Sequence, residues 1–183
     1  MGREGQKIRL YHTSDQKIED PQITYGRKNA DFGQGFYLTP DEEFAYRWAG
    51  KDAIVNVYEL NLEGLEIEHL ERDQKWYSYI YRNRRAKDTC DADVVIGPIA
   101  NDTIYDTMGI LTSGYVQPDQ ALKLLQIGPQ YCQVALKSEK AKANLRWVDA
   151  KRMEQGREDI LKIEQENYQR LLAEEMLRWE EET

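Results

Sequence analysis

Apolar and polar positions alternate over short runs through the first two thirds of the chain. Lys7 to Ser14 (KIRLYHTS) predicts a strand, as does Ala53 to Leu62 (AIVNVYELNL), where Ile54, Val55, Val57, Tyr58 and Leu60 keep close to a period of two. Gly35 to Thr39 (GFYLT), Asp93 to Ala100 (DVVIGPIA), Gln130 to Ser138 (QYCQVALKS) and Leu145 to Ala150 (LRWVDA) predict further strands. Helical stretches are predicted at Trp76 to Lys87, around Thr103 to Leu111, from Pro118 to Ile127 and over the run SEKAKANL. Strands and helices mix without regular βαβ alternation, which predicts an α+β fold and argues against a doubly wound sheet.

The pattern changes from about Arg152. Leu161, Tyr168, Leu172, Met176 and Trp179 recur at intervals of seven, four, four and three on an otherwise charged background. That is one apolar stripe on a long amphipathic helix, which either packs on its own domain or binds a protein partner. The chain thus divides into a domain at 1–148 and a helical extension at 149–183.

The segment Asp31 to Ala49 (DFGQGFYLTPDEEFAYRWA) carries the densest local signal. Thr39, Pro40 and Glu42 form a capping box with proline at the first helical position, so a helix is predicted to start there. Phe36 and Tyr37 then sit on a short strand between that helix and the turn holding Gly33 and Gly35. The dinucleotide fingerprint fails, because Leu38 stands where its third glycine belongs, and no Gly-Lys-Ser/Thr follows to make a phosphate loop. What remains is either a hairpin turn into a core strand or a turn that brings backbone close to something flat, with Tyr37 beside it.

Composition narrows the setting. A chain of 183 residues with 40% hydrophobic content, twelve tyrosines and four tryptophans suits a folded domain plus an extension. Cys90 and Cys132 give neither a disulfide framework nor metal spacing, so no metal is expected and a reducing compartment is the default. No apolar run approaches the roughly 20 residues that span a bilayer, and the first residues lack an apolar signal core. A cytoplasmic protein with no membrane contact is expected. From Asp149 onward eleven acids face six bases, so this extension holds five of the eight net negative charges. An acidic chain is a poor non-specific nucleic-acid binder. The local exception is WYSYIYRNRRAK, whose tyrosines and bases either face core and water respectively or stack on and neutralise a nucleotide.

There are two histidines. His69 lies among acids and is expected at the surface, whereas His12 lies near the end of the first strand, before Thr13 and Ser14. The order His12, glycine turn with Tyr37, helix with Trp48 is where a resemblance enters. LYHTS, DFGQGFYLT with AYRWA, DVVIGPIAND and QYCQVALKSEKA resemble a bacterial family of uncharacterised domains assigned to the ADP-ribosyltransferase superfamily, the fold of diphtheria-type toxins and poly(ADP-ribose) polymerases. The similarity runs from about Lys7 to Val148.

The resemblance implies split antiparallel β-sheets with flanking helices and NAD as substrate. It implies that His12 contacts the adenosine ribose, that Tyr37 stacks on nicotinamide and that Gln130 orients the reacting ribose. Thr13, Ser14, Gly33, Gly35 and Phe36 would complete the NAD site, with Trp48 as a second face for the ring. The implied activity is transfer of a single ADP-ribose to a protein or nucleic-acid acceptor by a toxin or effector, because Gln130 replaces the usual glutamate. The usual glycine after the histidine is here Thr13. Gly128 stands where arginine-specific toxins carry an acid or glutamine, so arginine is not the expected target. A catalytically weak NAD-binding or interaction module is the alternative. Serine-hydrolase and zinc-enzyme motifs are missing.

Overall fold

A computed structural model describes residues 6–100 and 118–181. The helix expected around Thr103 to Leu111 lies outside the described residues. The strands are β1 (Lys7–Ser14), β2 (Phe36–Leu38), β3 (Ile54–Asn61), β4 (Ile67–His69), β5 (Val94–Pro98), β6 (Cys132–Leu136) and β7 (Leu145–Arg152). The α-helices among the described residues are α1 (Glu42–Arg47), α2 (Gln74–Asn83), α3 (Pro118–Leu125), α4 (Glu139–Ala143) and α5 (Glu158–Glu181). The fold is α+β, with two mostly antiparallel sheets and a long C-terminal helix. No described helix is long and apolar enough to cross a membrane.

One sheet has the order β1-β3-β7 and the other β2-β6-β5-β4, with only β4 and β5 parallel. Alternation along the strands of the second sheet builds two cores, one on each face. Phe36, Val94, Val134 and Leu136 meet Leu10, Tyr58 and Leu60 of the first sheet. Val95 and Ala135 point the other way and pack under Trp76 and Ile80 of α2, with Phe32 and Leu125. β5 reads as a continuous apolar run because both of its faces are covered. The sheets touch where the β1 and β2 edges meet, through paired backbone bonds between Tyr11 and Thr39 at 2.8 and 2.9 Å.

That seam moves the start of α1. Thr39 is held extended by Tyr11, so the N-cap falls on Asp41, whose Oδ1 accepts the Phe44 N–H at 3.0 Å. The Thr39 hydroxyl instead accepts the Asp41 N–H and donates to the Cys132 carbonyl. The expected capping box is therefore replaced by an aspartate cap two residues later. α1 then covers the outer face of the first sheet with Ala45, Tyr46 and Ala49 against Tyr11, Val55 and Met153.

The division expected at 148 falls inside β7, which pairs with β3 as far as Arg152. α5 lies against the domain. Tyr168 and Leu172 are buried with Phe44, Leu124 and Tyr131, while Leu161 and Trp179 pack at the edge of that cluster. Met176, the remaining member of the stripe, is 38% exposed.

Candidate functional site

A cavity of about 880 Å³ opens between the end of β1, the start of β2 and the long connection joining them. Its size is that of a small-molecule or cofactor site. The connection is fixed from below by two β3 side chains. Asn56, fully buried, accepts the Ile18 N–H at 2.9 Å and donates to the Gln16 carbonyl at 3.0 Å. The Tyr58 hydroxyl donates to the Ile18 carbonyl at 2.6 Å. Gln16 and Ile18 both line the cavity, so its wall is tied to the first sheet.

His12 projects from β1 into the cavity. Its Nδ1 lies 2.7 Å from the Tyr37 carbonyl, and its ring sits 4.6 Å from that of Phe36. A carbonyl only accepts, so Nδ1 carries the proton and the neutral ring keeps Nε2 as an acceptor. Burial lowers the histidine pKa, and the bond to Tyr37 opposes that without reversing it. At neutral pH the site therefore presents an uncharged imidazole.

Tyr37 lines the cavity with a hydroxyl that is already engaged. It donates to the Gly33 carbonyl at 2.6 Å and accepts the Phe32 N–H at 3.0 Å, and burial raises its pKa. The residue can offer its ring but not a proton. The glycines around it have separate reasons. Gly33 turns at φ +76°, and a side chain there would strike Asp88 and Lys137. Lys137 Nζ contacts both Asp88 and the Phe32 carbonyl, which clamps the turn. A side chain at Gly35 would meet the Leu136 carbonyl at 2.6 Å, and one at Gly26 would meet Gly35 itself. Gly26 and Gly35 thus let backbone pack on backbone, where the sequence suggested room for a ring.

Of the residues singled out in the sequence, the structure brings His12, Ser14, Gly35, Phe36 and Tyr37 to the cavity. Thr13 turns away, its hydroxyl donating to the Ala45 carbonyl at 2.6 Å. Gly33 shapes the turn from behind. Trp48 is 43% exposed at the end of α1, edge-on to Phe44 at 5.8 Å, and does not line the cavity. Gln130 is exposed, because the strand expected from residue 130 begins at Cys132.

Gln133 takes the place in the cavity that Gln130 does not reach. It stands two residues before Ala135, the register partner of Tyr37, so strand alternation puts Gln133 and Tyr37 on one face of the sheet. It is buried, and its Nε2 has no hydrogen-bond partner among the described residues. The available signal was a glutamine inside the apolar strand CQVAL. Asp31, also unforeseen, lines the cavity as a buried carboxylate held by Arg84 at 2.9 Å. Among the described residues no group of three or more His, Cys, Asp or Glu could hold a metal ion.

The model of a family described as a protein of unknown function (DUF3990) matches residues 8–147. The chain belongs to this family. No curated protein and no solved structure matches it. The DUF3990 match takes in His12, Tyr37, Asn56 and Gln133, and so contains the whole cavity. It ends within β7 and leaves α5, which packs on the matched domain, outside the DUF3990 match.

Proposed function

We propose that the cavity binds NAD and that the protein transfers a single ADP-ribose from it to a protein or nucleic-acid acceptor. The observation that carries this reading is the convergence of His12, Tyr37 and Gln133, from three different strands, on one cavity of about 880 Å³. A neutral imidazole with a free Nε2 suits a ribose hydroxyl. An aromatic ring whose hydroxyl is tied down suits a flat ring of the ligand. The orphaned Gln133 amide suits a hydroxyl of the ribose that reacts.

In such a reaction the bond between the ribose anomeric carbon and the nicotinamide nitrogen breaks, and its electron pair leaves with neutral nicotinamide. Positive charge develops on the ribosyl ring, a nucleophile of the acceptor bonds to the anomeric carbon, and its proton passes to solvent. Gln133 orients the ribose and offers its carbonyl dipole to the developing charge. A carboxylate there would do more, and one such electrostatic contribution is worth about 2.7–4 kcal/mol. The amide favours slow transfer or NAD hydrolysis over chain building. The same feature supports the second reading, an NAD-binding module without turnover.

The experiment incubates the protein with labelled NAD and candidate acceptors, and follows label transfer and nicotinamide release. Native protein and Gln130→Ala should match, while Gln133→Ala should lose on the order of tenfold or more in rate with little change in NAD affinity. NAD binding without release of nicotinamide would select the module reading. Absence of NAD binding would overturn both.

A further inference from the structure

The acids of the cavity are largely spoken for. Asp20 pairs with Lys142 at 2.8 Å and Asp31 with Arg84 at 2.9 Å. Arg27 is the one permanent cation among the lining residues, and it is exposed, with no acid within ion-pair reach among the described residues. Its positive charge acts on the Tyr37 hydroxyl against the effect of burial. Among the described residues the cavity therefore holds one guanidinium fork without an acidic partner.

Tyr25 stands two residues before it, at the close of the short turn Ile23–Tyr25. Its side chain is 92% exposed although it lines the same cavity. The backbone beneath it is fixed on both sides. Ile23 is buried between the sheets, and Gln34 Nε2 donates to the carbonyls of Thr24 at 2.6 Å and Gly26 at 3.1 Å. Gly26 in turn lies tight against Gly35. An exposed aromatic by itself is ordinary. A ring on a pinned turn of the cavity wall, two residues from a lining guanidinium that has no acidic partner among the described residues, is a stacking platform with a charge clamp in the same cavity.

We propose that Tyr25 and Arg27 form a subsite for a nucleoside diphosphate, with the base stacked on Tyr25 and the diphosphate on the Arg27 fork. The subsite shares the cavity of the NAD reading and rests on that reading for the remainder of the ligand. The ADP half of the dinucleotide would sit on Tyr25 and Arg27, leaving the other half to extend toward Tyr37 and Gln133. Recognition by the ADP half requires no chemistry.

Calorimetric titration of the full chain with ADP, adenosine, ADP-ribose, NAD and nicotinamide tests this. ADP and ADP-ribose should bind native protein, with affinity falling as salt is raised. Arg27→Gln should weaken ADP about tenfold, leave adenosine unchanged and flatten the salt dependence. Tyr25→Ala should weaken ADP and adenosine alike by about tenfold, and Tyr25→Phe should restore both. Both side chains are exposed, so unchanged melting temperatures are expected and confirm that the variants fold. If NAD binds native protein and both variants with equal affinity, the subsite is wrong while the NAD reading stands. If ADP binds as described and NAD does not, the subsite stands and the NAD reading falls. If no nucleotide binds, both fall.

Discussion

Asp93 holds together three segments that meet at the edge of the second sheet. Its carboxylate accepts the Ser138 hydroxyl at 2.6 Å, the Glu66 N–H at 2.9 Å and the Lys140 ammonium at 2.9 Å. The Ser138 bond, then the Glu66 amide and Lys140, hold its pKa down to about 2. The folded pKa lies below the unfolded one, so this stabilisation is full above about pH 4 and disappears as pH falls toward 2. Asp93→Asn should lower stability at pH 7 by about 1.5–3 kcal/mol and remove that acid-sensitive step. Urea midpoints of both proteins at pH 7, 4 and 2.5 check it, and parallel losses in the two proteins would rule Asp93 out as the source. Nothing in the local sequence distinguishes Asp93 from its neighbours Asp88 and Asp91, because its partners come from two segments, 27 residues before it and 45 to 47 residues after it. Residue roles set by such long-range contacts stay hidden in a sequence. His12 and Tyr37, singled out by motif order, line the cavity, whereas Gln130 came from matching QYCQV to the strand of a resembling family and lies before β6, three residues from the cavity-lining Gln133.

Elements with their own periodicity are visible in the chain, and those made by their neighbours are not. β3 and the amphipathic tail form where their patterns place them, with a register shift at Val57/Tyr58 and Met176 of the stripe left exposed. β4 escaped notice because its three residues IEH show no alternation and are held by parallel pairing to β5. The start of α1 was displaced by an inter-sheet contact that outweighs the capping preference of Thr39. The tail could be read as a helix with a stripe, but not what the stripe would meet. It meets Phe44 and Tyr131, stacked at 4.1 Å, and α3. Arg47 also bonds Tyr131 and Glu164, which fixes the helix from its polar side. Tyr168 is 2% exposed, so Tyr168→Ala should destabilise the protein by about 3 kcal/mol or more. Ile163 is 60% exposed, and Ile163→Ser should shift stability by no more than about 0.5 kcal/mol. Denaturant midpoints decide between this docked helix and a free one, for which the two substitutions would cost the same.

At the scale of the molecule the cavity and the docked helix lie on different parts of the frame. The cavity is walled by β1 and its following connection, by β2 and by Gln133, so it draws on both sheets. The bond from His12 to the Tyr37 carbonyl crosses the seam where those sheets meet. A ligand that binds only the folded state stabilises it through mass action, by about 2.7 kcal/mol at a concentration 100 times its dissociation constant. The helix contributes no cavity residue, and its anchors Tyr168 and Leu172 share no contact with His12, Tyr25 or Arg27 in the apolar clusters of the protein. One link runs along the chain from Tyr131 to Gln133. Contributions from separate sites add to within about 0.5 kcal/mol. With NAD bound as proposed, the ligand should therefore stabilise native protein and Tyr168→Ala by free-energy increments equal within that margin, although the variant starts lower. Thermal melts across a series of NAD concentrations measure both increments. A markedly smaller increment in the variant would mean that the helix supports the ligand site through the Tyr131–Gln133 segment, and that the extension belongs to the functional unit.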